Sequence, residues 1–312
     1  VAAPVALTGT GNVTTGSNAS ATSVTANKPA NVADGDVFVA GFYHRNARAD
    51  TTTITVPTGW NPLGTPNVLD ETFGLYYKPV PSASAETATS YTWSVTSGGA
   101  GRTMLAICRV TGVKLSAVQD AAGAQAAHTG LSSITDPAVT AVSDQALLLA
   151  FNIAHTSSSS QPLFTPPAGM TEVAAVQITN TGPSSSSMQI AQQQLSASGA
   201  TGTRVFSIAP TAANSGGYMV TIAPPASGSA TLSSTSSMTA NATVGYSASA
   251  TLSSVSSMTA TAGGQAFTAE ATLLSTSSMS ATAASDPVNV LVDGVWRKVT
   301  VYELVNGSWV QS

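Results

Sequence analysis

Three histidines, one cysteine and fourteen Asp plus Glu bound the metal and acid–base chemistry open to this 312-residue chain. His44, His128 and His155 fall in no HExxH or other metal-ligand spacing, and they read as surface residues at strand ends. Asp70 and Glu71 are the one adjacent acidic pair. Neighbours on a strand point to opposite faces, so this pair reads as a loop and not as the facing carboxylates of glycoside hydrolysis. There is no Gly-x-Ser-x-Gly elbow, and the glycine-rich stretch Ser97 to Gly101 lacks the lysine and following helix of a phosphate loop. The single Cys108 excludes an intrachain disulfide and any Cys-based zinc site, and within Met104 to Cys108 it reads as a small buried hydrophobe. No catalytic residue, metal ligand or cofactor is therefore assigned, and the chain is expected not to be an enzyme.

The aromatic residues leave two readings open. Tyr76, Tyr77 and Trp93 fall on neighbouring segments, where they are candidate glycan contacts or alternating core and rim positions.

The elements that would carry these residues are β-strands. Only 8% of the chain is charged and 6% aromatic, and the hydrophobic 43% is largely Ala and Val. A net charge of -4 with ten Lys plus Arg and no basic stripe argues against nucleic-acid binding. The longest apolar run, Ala146 to Phe151, is far short of the about 18 residues of a membrane span, so no membrane insertion is expected and no signal peptide is read at Val1. The fold class is all-β, in three parts.

Residues 1 to 225 alternate in the β manner between Gly, Pro, Asn and Ser clusters, and they repeat themselves. Gly35 to Phe42 matches Asp144 to Phe151, and Pro57-Thr58-Gly59-Trp60 matches Pro167-Ala168-Gly169-Met170. Leu75 to Lys78 then matches Ile190 to Gln193, Tyr91 to Val95 matches Arg204 to Ile208, and Met104 to Ile107 matches Tyr218 to Thr221. Two similar halves, about 1 to 115 and 116 to 225, are expected to form one jelly-roll-like β-sandwich or two small ones.

Residues 226 to 285 hold three copies of a Ser/Thr/Ala-rich decapeptide, beginning at Thr231, Thr251 and Thr272. Apolar residues recur at every second position, a period no helix produces. This stem is expected to be a homotrimer with Leu232, Met238, Leu252, Met258, Leu273 and Met279 facing its axis. The rival is a single-chain β-solenoid with coils of about twenty residues. Residues 286 to 312 place Asp293-Gly294 and Asn306-Gly307 between β-prone flanks, which predicts a tip of β-hairpins. Its Trp296 and Trp309 read as a paired core or an exposed binding platform.

Taken together, these segments resemble minor tail proteins of tailed bacteriophages, especially those infecting actinobacteria. The resemblance rests on Gly35 to Ala40, Pro57 to Trp60, Tyr76 to Lys78 and Ala106 to Val113 in the sandwich. It continues through the repeats from Ala230 to Ala240 and the ending Val292 to Arg297 with Val305 to Val310. It implies a structural virion protein, a minor tail protein or short fibre exposed on the particle. Its partners would be other virion structural proteins, further copies of itself and a host cell-surface glycan. Related modules decorate capsids and occur in bacterial surface proteins, so a capsid decoration or a carbohydrate-binding module remains open beside the tail.

Overall fold

The computed structural model describes residues 3–45, 53–68, 71–96, 99–178 and 184–225, and the strand backbones between 227 and 311. The chain divides into two units at Pro224 and Pro225.

In the first unit the strands are β1 (Val5–Ala6), β2 (Val13–Ala21), β3 (Ser23–Asn27), β4 (Asp36–Arg45), β5 (Ile54–Thr55), β6 (Asn61–Val68), β7 (Glu71–Val80), β8 (Ser90–Val95) and β9 (Gly101–Thr111). They are followed by β10 (Gln119–Thr129), β11 (Ser133–Asp136), β12 (Thr140–Ala141), β13 (Leu147–Thr156), β14 (Leu163–Thr165), β15 (Thr171–Ile178), β16 (Ser185–Gln194), β17 (Gly199–Ala200), β18 (Arg204–Ala209) and β19 (Asn214–Ile222). One large sheet runs β1-β9-β4-β7-β6 with β2 also on β9, and the other runs β10-β19-β13-β16-β15. Small sheets β3-β8-β5 and β11-β18-β14 accompany them, with a short β12-β17 pair. With β2 and β10 as counterparts, the two halves have the same strand order.

Local chemistry fixes how the halves correspond. Asp34 accepts the Ala83 N–H (2.6 Å) and Asp144 accepts the Ser198 N–H (2.7 Å), each closing the loop beyond the neighbouring strand. Gly35 and Gln145, one residue on, both have positive φ. The turns Pro57 to Trp60 and Pro167 to Met170 close alike, with the fourth N–H on the first carbonyl and a left-handed glycine, Gly59 or Gly169, in third place. Asp144 thus stands where Asp34 does, one residue away from the Gly35 match of the sequence alignment. A one-residue slip exchanges the faces of a strand. The slipped match sets Phe38 against Leu147, yet Phe38 packs with Trp60 and Trp93 while Leu147 packs with Val37 and Tyr218.

Three apolar cores follow from the alternation. Val37, Val39, Tyr43 and Met104 of one large sheet meet Leu147, Phe151, Ile190 and Tyr218 of the other. Phe38, Ala40 and Phe42 turn the opposite way, onto Trp93 and Val24 of the first small sheet, and Leu148 and Ala150 likewise onto Phe206 and Ile134 of the second. Each half is thus a small sandwich, and the two are joined through their large sheets. The central strands β4 and β13 are buried on both faces, which is why they read as continuous apolar runs and not as alternating ones.

In the second unit, β20 (Ser227–Leu232), β22 (Ser247–Ser253) and β24 (Thr268–Leu274) form one parallel sheet, and β21 (Ser237–Thr243), β23 (Ser257–Gly263) and β25 (Ser278–Ala283) form another. Identical repeat positions pair: Leu232 with Leu252 with Leu273, and Met238 with Met258 with Met279. This pairing lies within one chain, as in the solenoid alternative. The side-chain surroundings of these six residues, and so the expected trimer axis, lie outside the described residues. Two antiparallel hairpins close the unit, β26 (Asn289–Val292) with β27 (Val295–Lys298) and β28 (Tyr302–Val305) with β29 (Ser308–Gln311). Asp293-Gly294 and Asn306-Gly307, the expected turns between these strands, lie outside the described residues. The side chains of Trp296 and Trp309 lie outside the described residues.

Candidate functional site

The sheets turn polar at one end. Where β4 finishes and β7 begins, Tyr43 and Glu71 continue the odd-numbered face that looks onto the other half, and β13 brings His155 to meet them. The Tyr43 hydroxyl donates to Glu71 Oε2 at 2.8 Å, and His155 Nδ1 lies 2.7 Å from Glu71 Oε1. Glu71 is 7% exposed and His155 6%, so the carboxylate is held between a hydroxyl and an imidazole with almost no water. Burial first, then the Glu71 charge, pushes the Tyr43 hydroxyl well above the ordinary phenol range. His44, the next residue of β4, faces the other side of its sheet; burial pulls its pKa down, against a smaller upward pull from Glu71.

Several expectations change here. Glu71 is the first residue of β7 and not part of a loop, and His44 and His155 are core residues and not surface ones. Stacking of the two large sheets covers Glu71 and His155, strand ends that would be exposed in a lone sandwich, while His44 is buried on the opposite face of its sheet. The His128 side chain lies outside the described residues.

Ser186 stands opposite His155 in the β13/β16 register, so a hydroxyl, an imidazole and a carboxylate come together. Nucleophilic catalysis needs such a trio, and it also needs a place for the reacting carbonyl. Ser186 is wholly buried between the sheets, and the group joins β4 and β7 of one half to β13 and β16 of the other. Among the described residues no three His, Cys, Asp or Glu are grouped to hold a metal ion.

The glycan-contact reading of Tyr76, Tyr77 and Trp93 is corrected by burial. Tyr76 and Trp93 belong to an inner aromatic cluster, with ring centroids 6.4 Å apart and Trp60 4.7 Å from Trp93. Their ring faces are covered by protein and offer no platform to a sugar. Tyr77, adjacent to Tyr76, points the other way and packs partly buried against the core between the large sheets. What the sequence did not disclose is the Glu71–His155 contact, because its members lie in different halves. The one signal was parity: Val37, Val39 and Tyr43 share a face of β4, and Ile153 and His155 share the corresponding face of β13.

Other charged residues also serve the fold. Arg109 donates to Asp36 Oδ2 and to Asn12 Oδ1, both at 2.8 Å, and the Ala33 N–H donates to the same Asp36 oxygen. Lys78 pairs with Glu86 at 2.6 Å beside the Tyr91 ring. A scan against protein-family models and searches of curated proteins and of solved structures gave no match.

Proposed function

We propose that the chain is a non-enzymatic structural protein of a bacteriophage particle, a minor tail protein or short fibre that projects from it and contributes to host-surface attachment. The observation that carries this reading is the stem: three repeats stacked in parallel, position on position, between a duplicated sandwich and two tight hairpins. Stacked repeats extend a chain by one strand spacing per coil, about 4.8 Å, without needing a large core. The polar contacts of the sandwich support the same reading, since Glu71, His155, Asp36 and Arg109 are all engaged in joining strands. Among the described residues the stem sheets have three strands each, with β20, β21, β24 and β25 at their edges. Association of copies, as a homotrimer, would cover such edges. The partners are then further copies of the chain and neighbouring virion proteins.

Gold-labelled antibodies raised against residues 2 to 224 test the proposal on purified particles. Label on the tail is the expected result. Particles free of label, with the chain recovered only from unassembled lysate protein, would overturn the virion reading.

A further inference from the structure

At one buried place a set of residues that is apolar or aromatic in the first half is polar in the second, and the first half serves as the reference. In the first half Phe42 pairs across strands with Leu105, and Ala26 with Tyr91, all four buried and apolar or aromatic. In the second half the corresponding pairs are Asn152 with Gly217 and Asp136 with Arg204. A phenyl ring and a leucine have thus become a carboxamide and a glycine, and an alanine has become an acid. Gly217 makes the room: a methyl group there would stand 2.1 Å from Asn152 Oδ1 and 2.6 Å from Asp136 Oδ1. Asp136 and Asn152 are both fully buried and face one another, and among the described residues their side-chain oxygens and nitrogens have no further hydrogen-bond partner.

Among the described residues nothing charged compensates the acid. On β18 Arg204 turns away, its guanidinium held by Gln193 Oε1 and the Thr201 and Thr203 carbonyls. From β16 come the neutral Gln189 and Ser187, and from β19 Ser215. Glu172 of β15 accepts from Gln189 Nε2 at 2.5 Å. On β10 Asp120 is occupied by Ser143 and Thr221, and His128 stands opposite Ser215 in the strand register. His155 of β13 lies on the opposite face of its sheet, against Glu71.

We propose that Asp136 is a proton-operated latch between the three-stranded sheet β11-β18-β14 and the large sheet beneath it. With the carboxyl protonated, its O–H donates to the Asn152 carbonyl oxygen and the layers close on a neutral pair. With the proton lost, a bare carboxylate has no cation to meet, and the outer sheet opens to hydrate it. Burial, only partly offset by Asn152, pushes the Asp136 carboxyl up to about 8. The sign follows from linkage. The closed state binds the proton more tightly than the open one, so closure is strongest below the ordinary carboxylate pKa. It weakens as pH rises toward about 8 and is level above it.

Hydrogen exchange on the full chain tests this, with the first half as internal control. After correction for intrinsic rates, the opening equilibrium of amides 133 to 136 and 204 to 208 should grow about tenfold per pH unit between about pH 5 and about pH 7. Amides 23 to 27 and 90 to 95 should not follow. Asp136→Asn should abolish the slope. If that variant fails to fold, the combination Asp136→Ala, Asn152→Phe and Gly217→Leu, which copies the first half, should abolish it instead. Equal pH dependence in both halves, or a slope that survives in whichever variant folds, would overturn the latch. So would restoration of protection near neutral pH by added calcium ion, since a cation would then be the resident partner of the carboxylate.

Discussion

Cys108 and Glu71 show how far a side chain's neighbours decide its chemistry. The Cys108 thiol sits in the core between the large sheets, where burial pushes its pKa up to about 12. Thiolate is the reactive form, so native protein should resist maleimide for as long as it stays folded and react fully in denaturant. Rapid labelling under native conditions would show that β9 is not buried as described. Among the described residues Glu71 is held by the Tyr43 hydroxyl and the His155 imidazole, with Arg45 opposite it in the strand register. Removing one partner of a buried pair costs about 3–5 kcal/mol, because the other is left unpaired. His155→Leu should therefore lower the stability of the sandwich by that order in urea titrations. Glu71→Gln should cost less, since a neutral amide still accepts from Tyr43. Equal losses, or a His155→Leu loss below about 1 kcal/mol, would mean that the contact does not bind the halves together.

The strands and repeats carry the next level of argument. Each stem strand pairs with the strand one full coil away, so β20 and β24 have the same partner, β22, on opposite sides. In such a quasi-one-dimensional stack the coil is the unit that can be added or removed. Deleting residues 247 to 267 brings β24 to the place of β22 with Leu273 beside Leu232, and the remaining stem should keep its β circular dichroism and protease resistance. Deleting ten residues instead, half a coil, shifts one sheet's sequence into the other and should destroy both. The two-residue slip-free pairing of the sandwich strands makes the opposite point: β4 and β7 pair through ten consecutive positions, so no residue there can be dropped without reversing faces.

At the level of the whole molecule, a chain with 8% charged residues places much of its polar chemistry between layers of sheet. The homotrimer proposed for the stem is tested by sedimentation of the full chain with and without Met258→Asp. A trimer that falls to monomer on the substitution is the expected result. A wild-type monomer with an intact stem would leave the single-chain coils standing alone. The period-two pattern, the duplication and the strand pairs of the two hairpins were legible in the sequence, because alternation and β-prone flanks are local properties, whereas the Asp34 and Asp144 loop closures that set the alignment were not. Which face of β4 meets which layer was not legible. Both faces are apolar, so hydrophobicity carries no sign that separates Phe38 from Val37, and a one-residue misalignment costs nothing in pattern. For the same reason Tyr76 and Trp93 could be read as a sugar platform until Trp93, on the sheet β3-β8-β5, was seen to pack inward against Tyr76 of the large sheet. The sequence determined the strands, their repetition and the lack of a metal-ligand motif. Tertiary structure alone decided that two sandwiches stack through their large sheets, because that contact joins Glu71 to His155 across 84 positions and no local periodicity spans such a distance.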